Sequence, residues 1–261
     1  MKALSIAATG MAAQQLNVEV ISNNLANLNT TAYKRRRAEF QDLLYQSIQR
    51  VGSNSTAQGT VVPSGIQVGV GVRAAGVYRI NSQGALEHTE NPLDLAINGR
   101  GFFRVQLPNG EEVYTRAGSF QLDQAGQIVT PQGFVVLPGI TIPQEAVDIT
   151  VNREGEVQVK LDGQVDPQVV GQIDIATFPN EAGLEAVGEN LFKETQASGQ
   201  ATVSTPGTPG FGTIEQGFLE QSNVDPVREI TALISAQRAY ELNSRVIRSA
   251  DEMLNTVNNL R

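Results

Sequence analysis

Apolar positions at the two ends of this chain recur in steps of four and three, and in its middle in steps of two. Near the C-terminus the series Ala232, Ala236, Ala239, Asn243, Val246, Ala250, Met253, Val257 and Leu260 is apolar or small at all but Asn243. A parallel column holds Leu233, Tyr240, Ile247 and Leu254. This 3.5-residue period predicts a long one-sided helix of coiled-coil type. Asp225-Pro226 supplies its start, a capping carboxylate followed by a first-turn proline. From Val227 to Leu260 such a helix is about 50 Å long at 1.5 Å per residue. Leu4, Met11, Val18 and Leu25 mark a second helix with the same spacing, ending in the turn sequence Asn27-Leu28-Asn29-Thr30-Thr31-Ala32. Its polar positions include Gln14, Gln15 and Asn17. Phe40, Leu43, Leu44 and Ile48 share one helical face, which predicts a further helix over Ala38–Ser47.

The middle is punctuated differently. Of 25 glycines, 24 lie between Gly52 and Gly217, and ten of 11 prolines lie between Pro63 and Pro209. Breakers of this density exclude long helices and favour strands and turns. Phe102–Val105 and Val113–Thr115 flank Pro108-Asn109-Gly110. Ser119–Leu122 and Gln127–Val129 flank Asp123–Gly126, and Ile149–Val151 and Val157–Leu161 flank Arg153-Glu154-Gly155. Each is a hairpin pattern. Asp94–Asn98 and Gln172–Ala176 predict two further strands. The expected fold class is α+β: long terminal helices packed as a coiled coil, with an inserted antiparallel β-rich domain of barrel or sandwich type. The expected division is 1–32 with 226–261 for the helices, 33–72 with 213–225 for a connecting region holding the further helix and a long extended insertion, and 73–212 for the β-domain.

Composition narrows the chemistry. The 261 residues include no Cys, no Trp and one His, which excludes disulfides, thiolate metal sites and paired-His metal sites. His88 lies in a polar stretch beside Glu87 and Glu90 without a nucleophile motif, and reads as a surface residue. Asp162 and Asp166 lack the ligand series of a calcium loop. Gly69-Val70-Gly71 and Gly99-Arg100-Gly101 are too short to cradle a dinucleotide. Expected catalytic, metal and cofactor sites are therefore none. The charge is +3 over residues 1–50, −10 over 51–219 and −1 over 220–261, a balance that disfavours nucleic acid. Lys34-Arg35-Arg36-Arg37 reads as a solvated or interface-facing helix end. Direct membrane insertion is not expected, since apolar runs fall short of a span and the helix polar faces carry amides in place of Lys and Arg. The Ala-rich start is broken by Ser5, Thr9 and Gly10, so a cleaved signal peptide is not expected either.

Two long one-sided helices bury only the face they share, and the leftover apolar surface points to other copies. A secreted β-rich hydrolase or carbohydrate-binding protein is the alternative, and it predicts activity or ligand affinity in a dilute monomer.

Three groups of residues carry a family resemblance. Ser22-Asn23-Asn24-Leu25-Ala26-Asn27, then Asn29-Thr30 and Ala32-Tyr33-Lys34, resembles the N-terminal signature of bacterial flagellar rod and hook proteins. Gln237-Arg238-Ala239-Tyr240-Glu241-Leu242-Asn243, followed by Asp251–Leu254, resembles the matching C-terminal signature. Asn98–Phe103 with Tyr114–Phe120 is similar to the family's β-domain. Length and the stretch Tyr45–Arg73 resemble the family's distal-rod branch, with proximal-rod and hook-side paralogues next. The resemblance implies a structural subunit of a hollow helical homo-oligomer, exported by the flagellar type III apparatus without a cleaved signal. It implies a basal-body location from periplasm to outer membrane. The implied partners are proximal rod proteins, the hook or hook-junction protein, and the P-ring and L-ring proteins.

Overall fold

The computed structural model describes residues 2–49, 65–163 and 166–259, and divides into two units. The first holds residues 1–26, 36–78 and 225–261; the second holds 27–35 and 79–224. The class is α+β, with a helix at each end and strands between.

In the first unit, helix α1 runs from Lys2 to Ala26 and helix α2 from Pro226 to Asn259, and the two pack on each other. Asp225 starts α2 as its sequence predicts. Its Oδ1 accepts the Val227 and Arg228 amides at 3.0 and 3.2 Å, satisfying donors that the first turn cannot. Ala7, Ala13 and Ile21 of α1 and Ala236 and Ala250 of α2 are buried. Small side chains here let the two backbones approach.

The expected helix over Ala38–Ser47 does not form. Arg36–Asp42 is a strand paired with Val72–Arg79, and Tyr45–Gln49 is a strand antiparallel to Ile66–Gly69. Ala38 and Phe40 are half-buried while Arg37, Glu39 and Gln41 are exposed, a period of two hidden beneath apparent helical spacing. A partner strand rich in β-formers, Val72, Val77 and Tyr78, decides the outcome over local preference. The strand Arg36–Asp42 also touches α1, so the helix pair has a third element against it that sequence reading did not supply.

The second unit is antiparallel β. Among the described residues it has a nine-stranded and a three-stranded sheet around one core, which includes Leu95, Phe103, Val113, Phe120, Val157 and Ile175. The predicted hairpins form: Phe102–Gln106 pairs with Glu112–Thr115, Gln121–Leu122 with Ile128–Val129, and Ala146–Val151 with Glu156–Leu161. The single strand expected over Gln172–Ala176 is instead a corner. Gln168–Gln172 belongs to the smaller sheet and Ile175–Thr177 pairs with the Phe102–Gln106 strand of the larger one. Ile173 and Ile175 are both buried, so the alternation continues through the corner because both sheets face the same core. A second apolar cluster joins Phe102, Tyr114, Phe178 and Phe192 through edge-to-face ring contacts. The chain returns through Thr213–Gln216, paired with Leu95–Asn98, and Phe218–Glu220, paired with Leu86–His88.

Candidate assembly surface

Sequence reading singles out apolar helix faces, and the structure sorts them into covered and uncovered. Leu4, Met11, Val18 and Leu25 of α1 are half-buried, as are Leu233 and Ile247 of α2. Tyr240, Val246, Met253 and Leu254 are exposed, Met253 to 62%. The side chains of Val257 and Leu260 lie outside the described residues. Gln14 and Asn17 are half-buried, and Gln15 is exposed with its amide bonded to Glu19 at 3.1 Å. Exposed apolar residues missed by the heptad count add to this surface. Val227, Ile230 and Ile234 line another side of α2, at spacings of three and four. Leu44, in the link between two first-unit strands, and Tyr45 and Ile48 on the second of them stand out, Leu44 at 87%. Apolar side chains uncovered in this number along one helix mark a candidate interaction surface.

The signature residues take distinct places. Asn24 is fully buried: its Nδ2 donates to the Arg36 carbonyl at 2.8 Å and to Glu229 Oε2 at 3.0 Å, and its Oδ1 accepts the Arg36 amide at 2.8 Å. One side chain thus fastens the end of α1, the start of a strand and the first turn of α2. Asn27 accepts the Thr30 hydroxyl at 3.1 Å within the turn that follows α1. Tyr33 is half-buried and Asn23 is exposed. Gln237 and Arg238 are exposed on α2. Asn243 lies over Gly10, where a β-carbon would stand 3.0 Å from its Nδ2.

Lys34 corrects an expectation. It is neither solvated nor at a helix end. Its ammonium is buried against Glu220 at 2.5 Å and donates to the Ser82 carbonyl at 2.9 Å. Glu220 Oε2 also accepts Arg116 Nε at 2.7 Å, and Arg116 donates onward to the carbonyls of Ile97, Gly99 and Gly101. The Gly84 amide adds a third donor to the carboxylate, at 2.9 Å. Burial pushes Glu220 upward, but Arg116 and Lys34 together outweigh it and hold the carboxyl below its ordinary value. Burial lowers the Lys34 ammonium, with Glu220 opposing. Lys34 and Arg116 sit inside the motifs read from the sequence, whereas Glu220 gave no local signal. It is a single carboxylate in an apolar strand.

The remaining chemistry is spare. His88 is exposed, with its ring edge-to-face with Phe218 at 5.1 Å. A cavity of about 250 Å³ in the second unit is lined by Thr30, Thr115, Thr130 and Asn190 among others. Several of its polar groups are spent on local bonds, such as Thr115 Oγ1 to the Asn190 carbonyl at 2.9 Å. No described helix is long and apolar enough to cross a membrane.

Comparison with known proteins gives the family. Three family models match: flagella basal body rod protein over residues 4–34, flagellar hook protein FlgE/F/G D1 domain over 96–159, and flagellar basal body rod FlgEFG protein C-terminal over 215–260. The chain is 62% identical to the flagellar basal-body rod protein FlgG of Caulobacter vibrioides over the whole of both chains. It is 51% identical to that of Agrobacterium fabrum over 98% of each chain. The Bacillus subtilis protein of the same name is 38% identical over 97% of this chain and 96% of its own. This chain, with its buried Asn24 joint, its ion triad and its uncovered helix faces, belongs to the flagellar basal-body rod protein family.

Proposed function

We propose that this chain is a structural subunit of the flagellar distal rod, a rigid hollow helical tube that carries torque from motor to hook and passes exported subunits. The end-to-end likeness to relatives named FlgG carries this reading. The exposed apolar residues of α2 and of the Tyr45–Gln49 strand support it physically, because a repeated heterologous contact with a screw rotation builds an open tube. In the assembled tube the terminal helices pack as coiled coils around the channel, and the β-rich unit forms the outer layer. The subunit has no enzymatic role. Its neighbours are further copies, proximal rod proteins, the hook or hook-junction protein and the P-ring and L-ring proteins, and it reaches them through the type III export apparatus. It occupies the basal body from periplasm to outer membrane.

The stretch 45–73 stiffens the rod by bridging axially adjacent subunits. Residues 50–64 of it lie outside the described part of the structure. Deleting Ser47–Pro63 gives curved or flexible rods on this account, and straight rods of normal stiffness contradict it.

Electron microscopy of basal bodies from a strain lacking the gene tests the assignment. The expected result is a rod that stops short, without outer rings or hook. A still shorter rod moves the chain to the proximal rod, a complete rod without a hook makes it a hook-side subunit, and normal basal bodies overturn the reading.

A further inference from the structure

Two contacts define how α1 lies on α2. Asn24 meets Glu229, and Gly10 meets Asn243. Stepping back fourteen residues on α1 (24 to 10) matches stepping forward fourteen on α2 (229 to 243), so both contacts obey one antiparallel register two heptads apart. Continuing it, Lys2 faces Asp251, and residues 252–259 of α2 run on past the beginning of α1. Met253 and Leu254, in that overhang, are exposed.

A neighbouring register competes. Sliding α1 by one heptad along α2 covers Met253 and Leu254 and places small Ala236 opposite Asn24 and Ala250 opposite Gly10. A repetitive apolar stripe alone does not forbid this slide. Polar groups do. In the slid register the Asn24 amide faces a methyl group and loses Glu229. Glu229 is fully buried in the first turn of α2, where the partial positive charge of the helix start favours a carboxylate. A β-carbon-free Gly10 admits the Asn243 amide at close range only in the observed register.

We propose that Asn24 and Glu229, seconded by the Gly10–Asn243 contact, are positioning residues that fix the register of α1 on α2 and thereby keep Met253 and Leu254 uncovered. A buried polar contact of this kind selects one alignment at some expense in stability. That a second copy then covers Met253 and Leu254 rests on the assembly reading above; the register itself does not.

Because the chain has no cysteine, disulfide trapping is free of background. Gln14→Cys with Ala239→Cys reports the observed register, and Gln14→Cys with Val246→Cys reports the slid one. In the full-length chain under mild oxidation, the first pair should close at least ~10-fold more than the second. Adding Asn24→Ala and Glu229→Ala should lower that ratio at least ~10-fold, since neither alanine prefers one alignment. Adding Glu229→Gln, which keeps an acceptor for Asn24, should preserve it. An unchanged ratio in the double-alanine chain overturns the proposal. Loss of both crosslinks in that chain also overturns it, because the residues would then hold the helices together without setting their offset. If the assembled rod is altered while the trapping ratios behave as expected, the assembly reading fails and the register stands.

Discussion

The β-rich unit is built around a sealed core, with its exposed valines, Val147, Val169 and Val187, spread over separate strands, whereas the helical unit leaves apolar side chains uncovered along a single helix. In the former, a core of Phe103, Val113, Phe120 and Val157 is sealed from water, and both carboxylate oxygens of Glu220 accept hydrogen bonds. In the latter, apolar side chains remain outside on α2 and on the Tyr45–Gln49 strand. The difference teaches where each part gets its stability. The first draws on contacts within one chain; on the proposed reading, the second is completed by contacts between chains.

The sharpest way to break this contrast is to damage the β-rich unit. Glu220→Ala leaves the Lys34 and Arg116 charges buried without their carboxylate, and should destabilise the chain by about 3–5 kcal/mol in denaturant unfolding. Acid should act in the same direction. Glu220 is held below the ordinary carboxylate value of 4.5, so its stabilisation is complete above that pH in the unfolded reference and is lost as pH falls through the lower folded value. A melting temperature that drops on acidification below pH 4.5, with a smaller drop in Glu220→Gln, would register this. Stability indifferent to Glu220 would show that the triad contributes nothing.

A smaller effect is expected where the helical unit has its own local support. Asp225→Ala removes the acceptor for the Val227 and Arg228 amides and should weaken α2 by about 1 kcal/mol, read from the helical circular dichroism signal on heating. The smallest effect on the isolated chain belongs to the uncovered residues. Leu44→Ser and Met253→Ser should each change its stability by less than about 0.5 kcal/mol. The same substitutions should impair polymerisation, measured by sedimentation. Large losses in the isolated chain would mean that these side chains are buried there after all.

Much of the fold is legible in the sequence, for reasons that differ by region. The terminal helices announce themselves by a 3.5-residue period and by near-absence of Gly and Pro, and Asp225 fixes one start within a residue. The β-hairpins are marked by turns whose chemistry is local, such as Pro108-Asn109-Gly110, where Gly110 takes φ +82°. Sequence reading fails where distant partners decide. Arg36–Asp42 becomes a strand because Val72–Arg79 pairs with it. The corner at Ile173 is invisible because alternation does not change there. Of the assembly surface, the heptad columns were legible, but their division into covered and uncovered residues was not. That division depends on how far α2 outruns α1, which leaves Met253 and Leu254 uncovered, and on which side of α2 meets α1, which leaves Tyr240 and Val246 outside. Glu220 was missed because three segments far apart in sequence create its surroundings, at Lys34, Arg116 and the Phe218–Glu220 strand.

Amide hydrogen exchange on the full chain, compared between dilute solution and the assembled polymer, tests the contrast most directly. The β-rich unit should be protected in both states, and the stretch of α2 around Met253 and Leu254 should exchange rapidly in the dilute chain and become protected on assembly. A C-terminal end of α2 already strongly protected in the dilute monomer, or still unprotected in the polymer, would contradict the account.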